Sequence, residues 1–83
     1  MNKEKRFQYE LKSWILDQMI AEKYANINEA CDAIARDILK LNSGKTVKNY
    51  LYGTRYPVSA KHCPKLSRAT GIDMELMNPE AFG

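Results

Sequence analysis

The sequence predicts an all-α fold of four to five helices with a long N-terminal helix. In four segments, apolar residues recur at three- and four-residue steps, the period of an amphipathic helix, and no segment alternates as a half-buried strand does. Hydrophobic residues make up 45% of the 83 residues, enough to form a core. A chain of this length supports one compact unit, so residues 1–83 are expected to form a single domain.

The first helix is predicted from about Lys3 to Tyr24. Its apolar residues fall on one stripe, while charged residues occupy the opposite face. The stripe consists of Phe7, Leu11, Trp14, Ile15, Met19 and Ile20. Trp14 is expected in the core, because its large apolar surface gains most from burial.

The second helix is predicted from about Asn28 to Lys40. Either Asn26 or Asn28 can cap its first amides, since asparagine is favoured at that position. Its inward residues are Ala30 or Cys31, with Ile34, Ala35 and Ile38.

A break at residues 42–44 precedes a short third helix, predicted from about Gly44 to Tyr52. Ser43 is a good N-cap, and Gly53 suits the left-handed conformation that ends many helices. The inward residues are Val47, Tyr50 and Leu51.

The fourth helix is predicted over residues 60–71, after an N-cap at Ser59 and ending at Gly71. Pro64 lacks a backbone donor and disfavours helical geometry at the residue before it, so the segment is expected to begin as a separate turn over residues 60–63. Its narrow apolar face contains Leu66, Ala69 and Ile72. Asp73 can cap a last short turn, residues 74–77.

Charge is unevenly distributed along the chain. Residues 1–37 carry a net charge of −1 and residues 73–83 a net charge of −3, whereas residues 38–72, the basic segment, carry +7 with no acidic residue. The seven cations are Lys40, Lys45, Lys48, Arg55, Lys61, Lys65 and Arg68. A field of one sign attracts a polyanion and speeds its capture. The simpler alternative is a solvated surface that happens to be basic.

The sequence offers little for catalysis, and the chain is expected not to be an enzyme. His62 is the only histidine, and side chains adjacent in sequence, such as His62 and Cys63, rarely point at one another at a helix start. Two cysteines and one histidine cannot complete a tetrahedral zinc site, so neither a metal nor a cofactor is expected. The run Gly44-Lys45-Thr46 resembles the end of a phosphate-binding loop but lacks the upstream glycine and the preceding strand.

No apolar run reaches transmembrane length, and no signal-peptide core follows the charged start. A cytoplasmic location without a membrane partner is therefore expected. In that compartment Cys31 and Cys63 are expected to be reduced thiols, with Cys31 acting as a small buried hydrophobe.

The outward side chains of the third helix are cationic, amide, hydroxyl or phenolic, and none is acidic. The major groove of DNA accepts one α-helix, whose N-terminal part meets the base edges. Base contacts are expected from Lys45, Thr46, Lys48 and Asn49. Phosphate contacts are expected from Ser43, Gly44, Tyr52, Thr54, Arg55, Tyr56 and Lys61. For Lys48 and Asn49, the alternative is an ordinary solvated helix face. For Arg55 and Tyr56, the alternative is a local cation–π pair.

Several short motifs follow the third helix: Tyr56-Pro57-Val58-Ser59, His62-Cys63-Pro64, Leu66-Ser67-Arg68-Ala69-Thr70-Gly71 and Glu75-Leu76-Met77-Asn78-Pro79. Together they resemble the Cro/repressor class of phage and prophage regulators, in particular its YdaS-like, Cro-like subgroup. The resemblance implies a repressor-like helix-turn-helix fold, sequence-specific binding of double-stranded operator DNA, a homodimer and no small-molecule cofactor. It further implies a nucleoid-associated protein of a bacterial or phage-infected cell.

For individual residues, the resemblance implies base contacts from the positions around Val47, which are Lys45, Thr46, Lys48 and Asn49. It implies phosphate contacts from the loop at Arg55 and Tyr56. The connection from Leu39 to Ser43 departs from the family, being about two residues longer than the usual turn and lacking its glycine. The angle between the second and third helices is therefore not predicted by the resemblance.

Two rival functions follow from the same sequence. One is a protein-interaction module of the antirepressor or antitoxin type that keeps the fold and uses its first helix. The other is an RNA-binding protein. This function is disfavoured because the sequence lacks the motifs that place exposed aromatic residues on a β-sheet in common domains that bind single-stranded RNA. The C-terminal tail, apolar and acidic, is the first candidate for a dimer surface.

Overall fold

The computed structural model describes residues 2–83, and all regular structure in this range is helical, as predicted. The six helices are α1 (Lys3–Ile20), α2 (Ile27–Ala33, extended by a π-helical turn, Ile34–Ile38), α3 (Lys45–Leu51), α4 (Cys63–Thr70), α5 (Met74–Met77) and α6 (Pro79–Phe82). The last of these was not anticipated from the sequence. The Cα radius of gyration is 11.7 Å. No helix within residues 2–83 is both long and apolar enough to cross a bilayer.

Helix α1 is shorter than predicted, ending at Ile20 instead of near Tyr24. Its start is capped by the side chain of Asn2, which accepts a hydrogen bond from the Lys5 amide at 2.8 Å. Its end is set by Glu22, which adopts a left-handed conformation with φ of 62°. A left-handed residue cannot continue an α-helix, so the chain turns away there.

The inner face of α1 is formed by Phe7, Leu11 and Ile15, all fully buried. Two other members of the predicted stripe behave differently. Trp14 is only half-buried and packs at the edge of the core. Ile20 is 81% exposed, so its predicted inward position is wrong. Ile20 follows Leu11 by nine residues, which places it about 180° around the helix axis from that buried residue.

Helix α2 is capped by Asn26, whose side chain accepts a hydrogen bond from the Glu29 amide at 2.8 Å. This settles the choice between Asn26 and Asn28. Ala30 and Cys31, offered as alternatives, are both fully buried. The Leu39 amide donates to the Ile34 carbonyl five residues earlier, which widens the last turn. The helix ends at Ile38, two residues before the predicted end at Lys40, which adopts a left-handed conformation with φ of 58°.

Helix α3 begins one residue later than predicted, with Gly44 at the cap position. The predicted cap, Ser43, lies one residue too early, although its hydroxyl still accepts a hydrogen bond from the Lys45 amide at 3.2 Å. The inward residues Val47, Tyr50 and Leu51 are buried as predicted. Gly53 adopts the expected left-handed conformation, with φ of 78°.

Helix α4 is preceded by the predicted separate turn, here residues 60–62, and carries Pro64 in its first turn. Ser59 contributes its carbonyl, not its side chain, to this start, accepting the His62 amide at 2.9 Å. Leu66 is buried, but Ala69 is exposed, contrary to its predicted place on the apolar face. Gly71 ends the helix in the left-handed region, as predicted.

Candidate nucleic-acid interface

Three residues on the outward side of α3, together with Tyr52 at its C-cap, form what we call the α3 stripe: Lys45, Lys48, Asn49 and Tyr52. They follow one another at helical spacings of three, one and three residues, which aligns them along one face. Lys45 and Tyr52 are exposed, whereas Lys48 and Asn49 are half-buried, as is the neighbouring Thr46. The stripe points outward because the opposite face is held in the core by Val47, Tyr50 and Leu51.

The cations of the basic segment form no ion pair with an acidic side chain of residues 2–83. Residues 2–83 contain three ion pairs: Lys3–Glu75 at 2.7 Å, Arg6–Glu10 at 2.9 Å and Arg36–Asp37 at 2.9 Å. All three use basic residues that lie outside residues 38–72. The seven positive charges of the basic segment therefore make no ion pair within the described chain, and they are available to an external anion.

Three of these cations lie around His62, which directly precedes α4. Burial lowers the pKa of His62 below its ordinary value of 6.5, and the nearby charges of Lys61, Lys65 and Arg55 lower it further. The His62 ring also shares a hydrogen bond with the Tyr50 hydroxyl of α3, at 2.9 Å between Nδ1 and the oxygen. Cations from the loop and from α4 are thus gathered in the region where α4 begins beside α3.

The loop after α3 is held against α1 by Tyr56. Its ring lies 6.3 Å from the Phe7 ring between centroids, and its hydroxyl donates to the Leu76 carbonyl at 2.7 Å. The ring therefore packs on α1 instead of stacking on Arg55, the alternative considered from the sequence. Arg55 itself is exposed. Tyr56 accordingly fixes the loop, while its neighbour remains accessible.

The C-terminal tail clamps the same loop. The Val58 amide donates to the Met77 carbonyl at 2.9 Å, and the Asn78 side chain donates to the Val58 carbonyl at 2.9 Å. Leu76, Met77 and Asn78 are buried in this arrangement. These three tail residues are thus committed to the chain's own core, whereas the expectation that the tail forms a dimer surface stays a prediction. Contacts across 20 residues of sequence leave no local signal by which they could have been found.

Gly44, predicted to contact phosphate, is buried between α3 and α2. A side-chain carbon at this position would lie 2.8 Å from the Asp32 backbone nitrogen and would also collide with the Asp32 carboxylate. Glycine therefore permits the close approach of the two helices. The structure assigns Gly44 to helix packing, whereas the other predicted contact residues are exposed or half-buried.

An open depression of about 440 Å³ lies between α2 and the connection to α3. It is lined by Asp32, Arg36, Leu41, Asn42, Ser43 and Gly44. The long connection thus leaves a hollow beside the start of α3. Asp32 also places one carboxylate next to the N-terminal end of that helix.

The thiols are not arranged for nucleophilic chemistry. Cys31 and Cys63 are free and buried, and burial is the largest influence on each, raising the pKa of both thiols. Reactive cysteines need the opposite shift, because the thiolate is the nucleophile. Residues 2–83 also contain no group of three or more histidine, cysteine or acidic side chains placed to hold a metal ion.

The fold and this surface define a small all-α protein in which α2 and α3 are consecutive helices joined by the connection of residues 39–44. No protein-family model, curated protein or solved structure matches the chain. The similarity to Cro-like regulators therefore stays a prediction from the motifs, and its functional consequences rest on the geometry of α3 and its surroundings.

Proposed function

We propose that this protein is a sequence-specific double-stranded DNA-binding transcriptional regulator of the Cro-like repressor type, which needs no cofactor. In this proposal the α3 stripe enters the major groove of the operator. One observation carries the proposal: the stripe lies in a segment of net charge +7 whose cations make no ion pair among residues 2–83. Such a surface is complementary to the phosphate-lined groove of a duplex.

The first turns of α3 supply the groups for reading bases. Lysine donates to guanine O6 and N7, asparagine pairs with both N6 and N7 of adenine, and a threonine methyl contacts the thymine methyl. The lysines are Lys45 and Lys48, the asparagine is Asn49 and the threonine is Thr46. They lie at the start and middle of the helix, where recognition helices meet base edges.

Phosphate contacts are assigned to the residues around the stripe: Ser43, Tyr52, Thr54, Arg55 and Lys61, each exposed. Tyr56 acts indirectly, since its hydroxyl proton is already donated to Leu76 and a phosphate accepts only. Asp32 beside Gly44 repels phosphate, so the contact from Ser43 is expected to be the weakest of these. As a homodimer, the protein spans two half-sites about 34 Å apart.

A double substitution tests the proposal. Lys45→Glu with Lys48→Glu is expected to abolish binding to duplex DNA, because two attractive contacts become repulsive. Binding is measured by fluorescence anisotropy with a labelled random-sequence duplex at low salt, and circular dichroism verifies the fold. The single variants Lys45→Glu and Lys23→Glu provide the matched comparison: both side chains are exposed and both lose two units of charge, but Lys23 lies outside the basic segment.

Salt dependence gives a second readout in the same assay. If all seven cations of the basic segment neutralise phosphates, the logarithm of the binding constant of one copy of the chain falls with the logarithm of salt at a slope of about −6. Each lost phosphate contact reduces that slope by about 1. A wild-type protein that fails to bind at low salt, a flat salt response, or equal losses for Lys45→Glu and Lys23→Glu would contradict the proposal. The protein-interaction role would then be favoured.

Sequence specificity is tested on sites selected from random duplexes. Asn49→Ala is expected to cost about 1–3 kcal/mol at one adenine of the selected site and to relax the preference there. Uniform weakening on all sequences would instead assign Asn49 to the phosphate backbone.

A further inference from the structure

Helix α1 has a second apolar face that no residue of the described range, 2–83, covers. Four large hydrophobic side chains are exposed among residues 2–83, and three of them lie on α1: Tyr9 at 65%, Leu16 at 40% and Ile20 at 81%. At 100° per residue they point roughly 140° to 180° away from the buried Leu11. We call these three residues the α1 stripe. A helix that packs on the core with one side normally carries polar residues on the other, so the α1 stripe does not contribute to the core of its own chain.

The α1 stripe has the spacing of a coiled coil. Tyr9 and Leu16 are separated by seven residues, and Ile20 follows Leu16 by four, which is the alternation of d and a positions in a heptad. The flanking positions are then fixed. Glu10 and Asp17 fall at e positions, whereas Lys5 and Lys12 fall at g positions.

These flanking charges are complementary to a second copy in parallel orientation. In a parallel pair, each g residue faces the e residue five positions later on the other helix. Lys5 then meets Glu10 of the second copy, and Lys12 meets Asp17 of the second copy. An antiparallel pair would instead bring the lysine-bearing edges of the two helices together. Lys12 and Asp17 are both exposed and join none of the three ion pairs within residues 2–83.

We propose that the α1 stripe is the interface of a parallel homodimer of this chain. Its two-fold axis lies between the two copies of α1 and runs parallel to them. The opposite side of α1 stays in each copy's own core, so dimerisation requires no rearrangement of the fold. The remaining a positions, Arg6 and Ser13, are polar, which makes the association weak and reversible. The inference deepens the homodimer of the proposed function, but assembly is measured without DNA and its failure leaves DNA binding untouched.

A charge-exchange experiment tests both the surface and the orientation. The full chain is studied by sedimentation equilibrium without DNA at concentrations up to about 1 mM, a range that covers weak association. Lys12→Glu places carboxylates opposite each other at both symmetry-related contacts, and Asp17→Lys does the same with ammonium groups. Each variant alone is expected to weaken dimerisation by about tenfold. An equimolar mixture of the two is expected to restore it as a heterodimer.

Two further variants separate the interface from general effects. Ile20→Gln removes an exposed apolar contact and is expected to lower dimerisation while its circular dichroism spectrum stays that of the wild type. Lys65→Glu makes the same charge change as Lys12→Glu on an exposed residue of α4 and is expected to dimerise normally. A wild-type chain that stays monomeric, a Lys12→Glu variant that dimerises like wild type, or a mixture that does not associate would overturn the inference.

Discussion

The hydroxyl of Tyr50 joins α3 to the segment that starts α4, and removing this hydroxyl tests how α3 is held. Tyr50 is 1% exposed. Its oxygen shares a hydrogen bond with His62 Nδ1 at 2.9 Å and accepts the Ser59 amide at 3.4 Å. Tyr50→Phe deletes this one oxygen and leaves the ring in the core. The variant therefore isolates the polar contact from the packing.

The size of the effect follows from what the substitution leaves behind. His62 is 8% exposed, so its Nδ1 loses its partner in a site with little access to water. Leaving a buried polar group unsatisfied costs about 1–3 kcal/mol. The Ser59 contact is long and adds little, so the lower half of that range, about 1–2 kcal/mol, is expected. For a protein of this size the corresponding fall in Tm is roughly 4–16 °C.

The assay is thermal and urea unfolding followed by circular dichroism, with Tyr52→Phe as the control. Tyr52 directly follows the same helix but is 62% exposed, so its hydroxyl is accessible to water. Removing it is expected to change the free energy of unfolding by less than about 0.5 kcal/mol. Equal stabilities of the two variants would refute the reasoning, because the buried hydrogen bond would then contribute nothing.

Two other predictions concern pH and glycine. Burial, and then Lys61, Lys65 and Arg55, lower the pKa of His62, so below pH 6.5 the unfolded chain binds the proton more readily than the folded one. The free energy of unfolding is thus expected to be greatest above pH 6.5 and to fall as the pH decreases from 6.5 to the pKa of His62 in the folded chain. Urea titrations across this pH range should show the fall in wild type but not in His62→Gln. Gly71→Ala should cost about 1 kcal/mol, since φ is 78° and no atom lies within 4 Å of the new carbon. Gly44→Ala should cost more, about 1–3 kcal/mol, because the carbon meets the Asp32 backbone; the reverse order in urea unfolding would contradict the packing role.

The elements of the fold were readable from local patterns because their causes are local. Asn26 caps α2 through an amide three residues away, and Gly53 and Gly71 adopt left-handed conformations at the ends of their helices. The inward residues of α3 follow from helical spacing alone, and so does the outward direction of Lys45 and Asn49. Such features depend on a few consecutive residues, so they can be inferred before any tertiary contact is known.

The errors arose where distant residues decide the outcome. Ile20 belongs to an apolar series in the sequence, but whether a helix face is covered depends on which elements pack against it, and nothing in the described chain covers this one. Gly44 looked like a phosphate contact until the approach of Asp32 gave it a packing role. The contacts of Tyr56 with Phe7 and Leu76 were not predicted, because both residues lie far from it in the sequence.

From composition and spacing alone, the chain could be assigned to the all-α class, its helices located and its net positive charge assigned to residues 38–72. Helical periodicity and charge are properties of consecutive residues, so they can be recognised without a structure. Three features became known from the packing of residues 2–83: the absence of ion pairs for those cations, the clamp of the tail on the loop and the uncovered face of α1. Each joins residues far apart in sequence, and only the folded arrangement sets the distances between them.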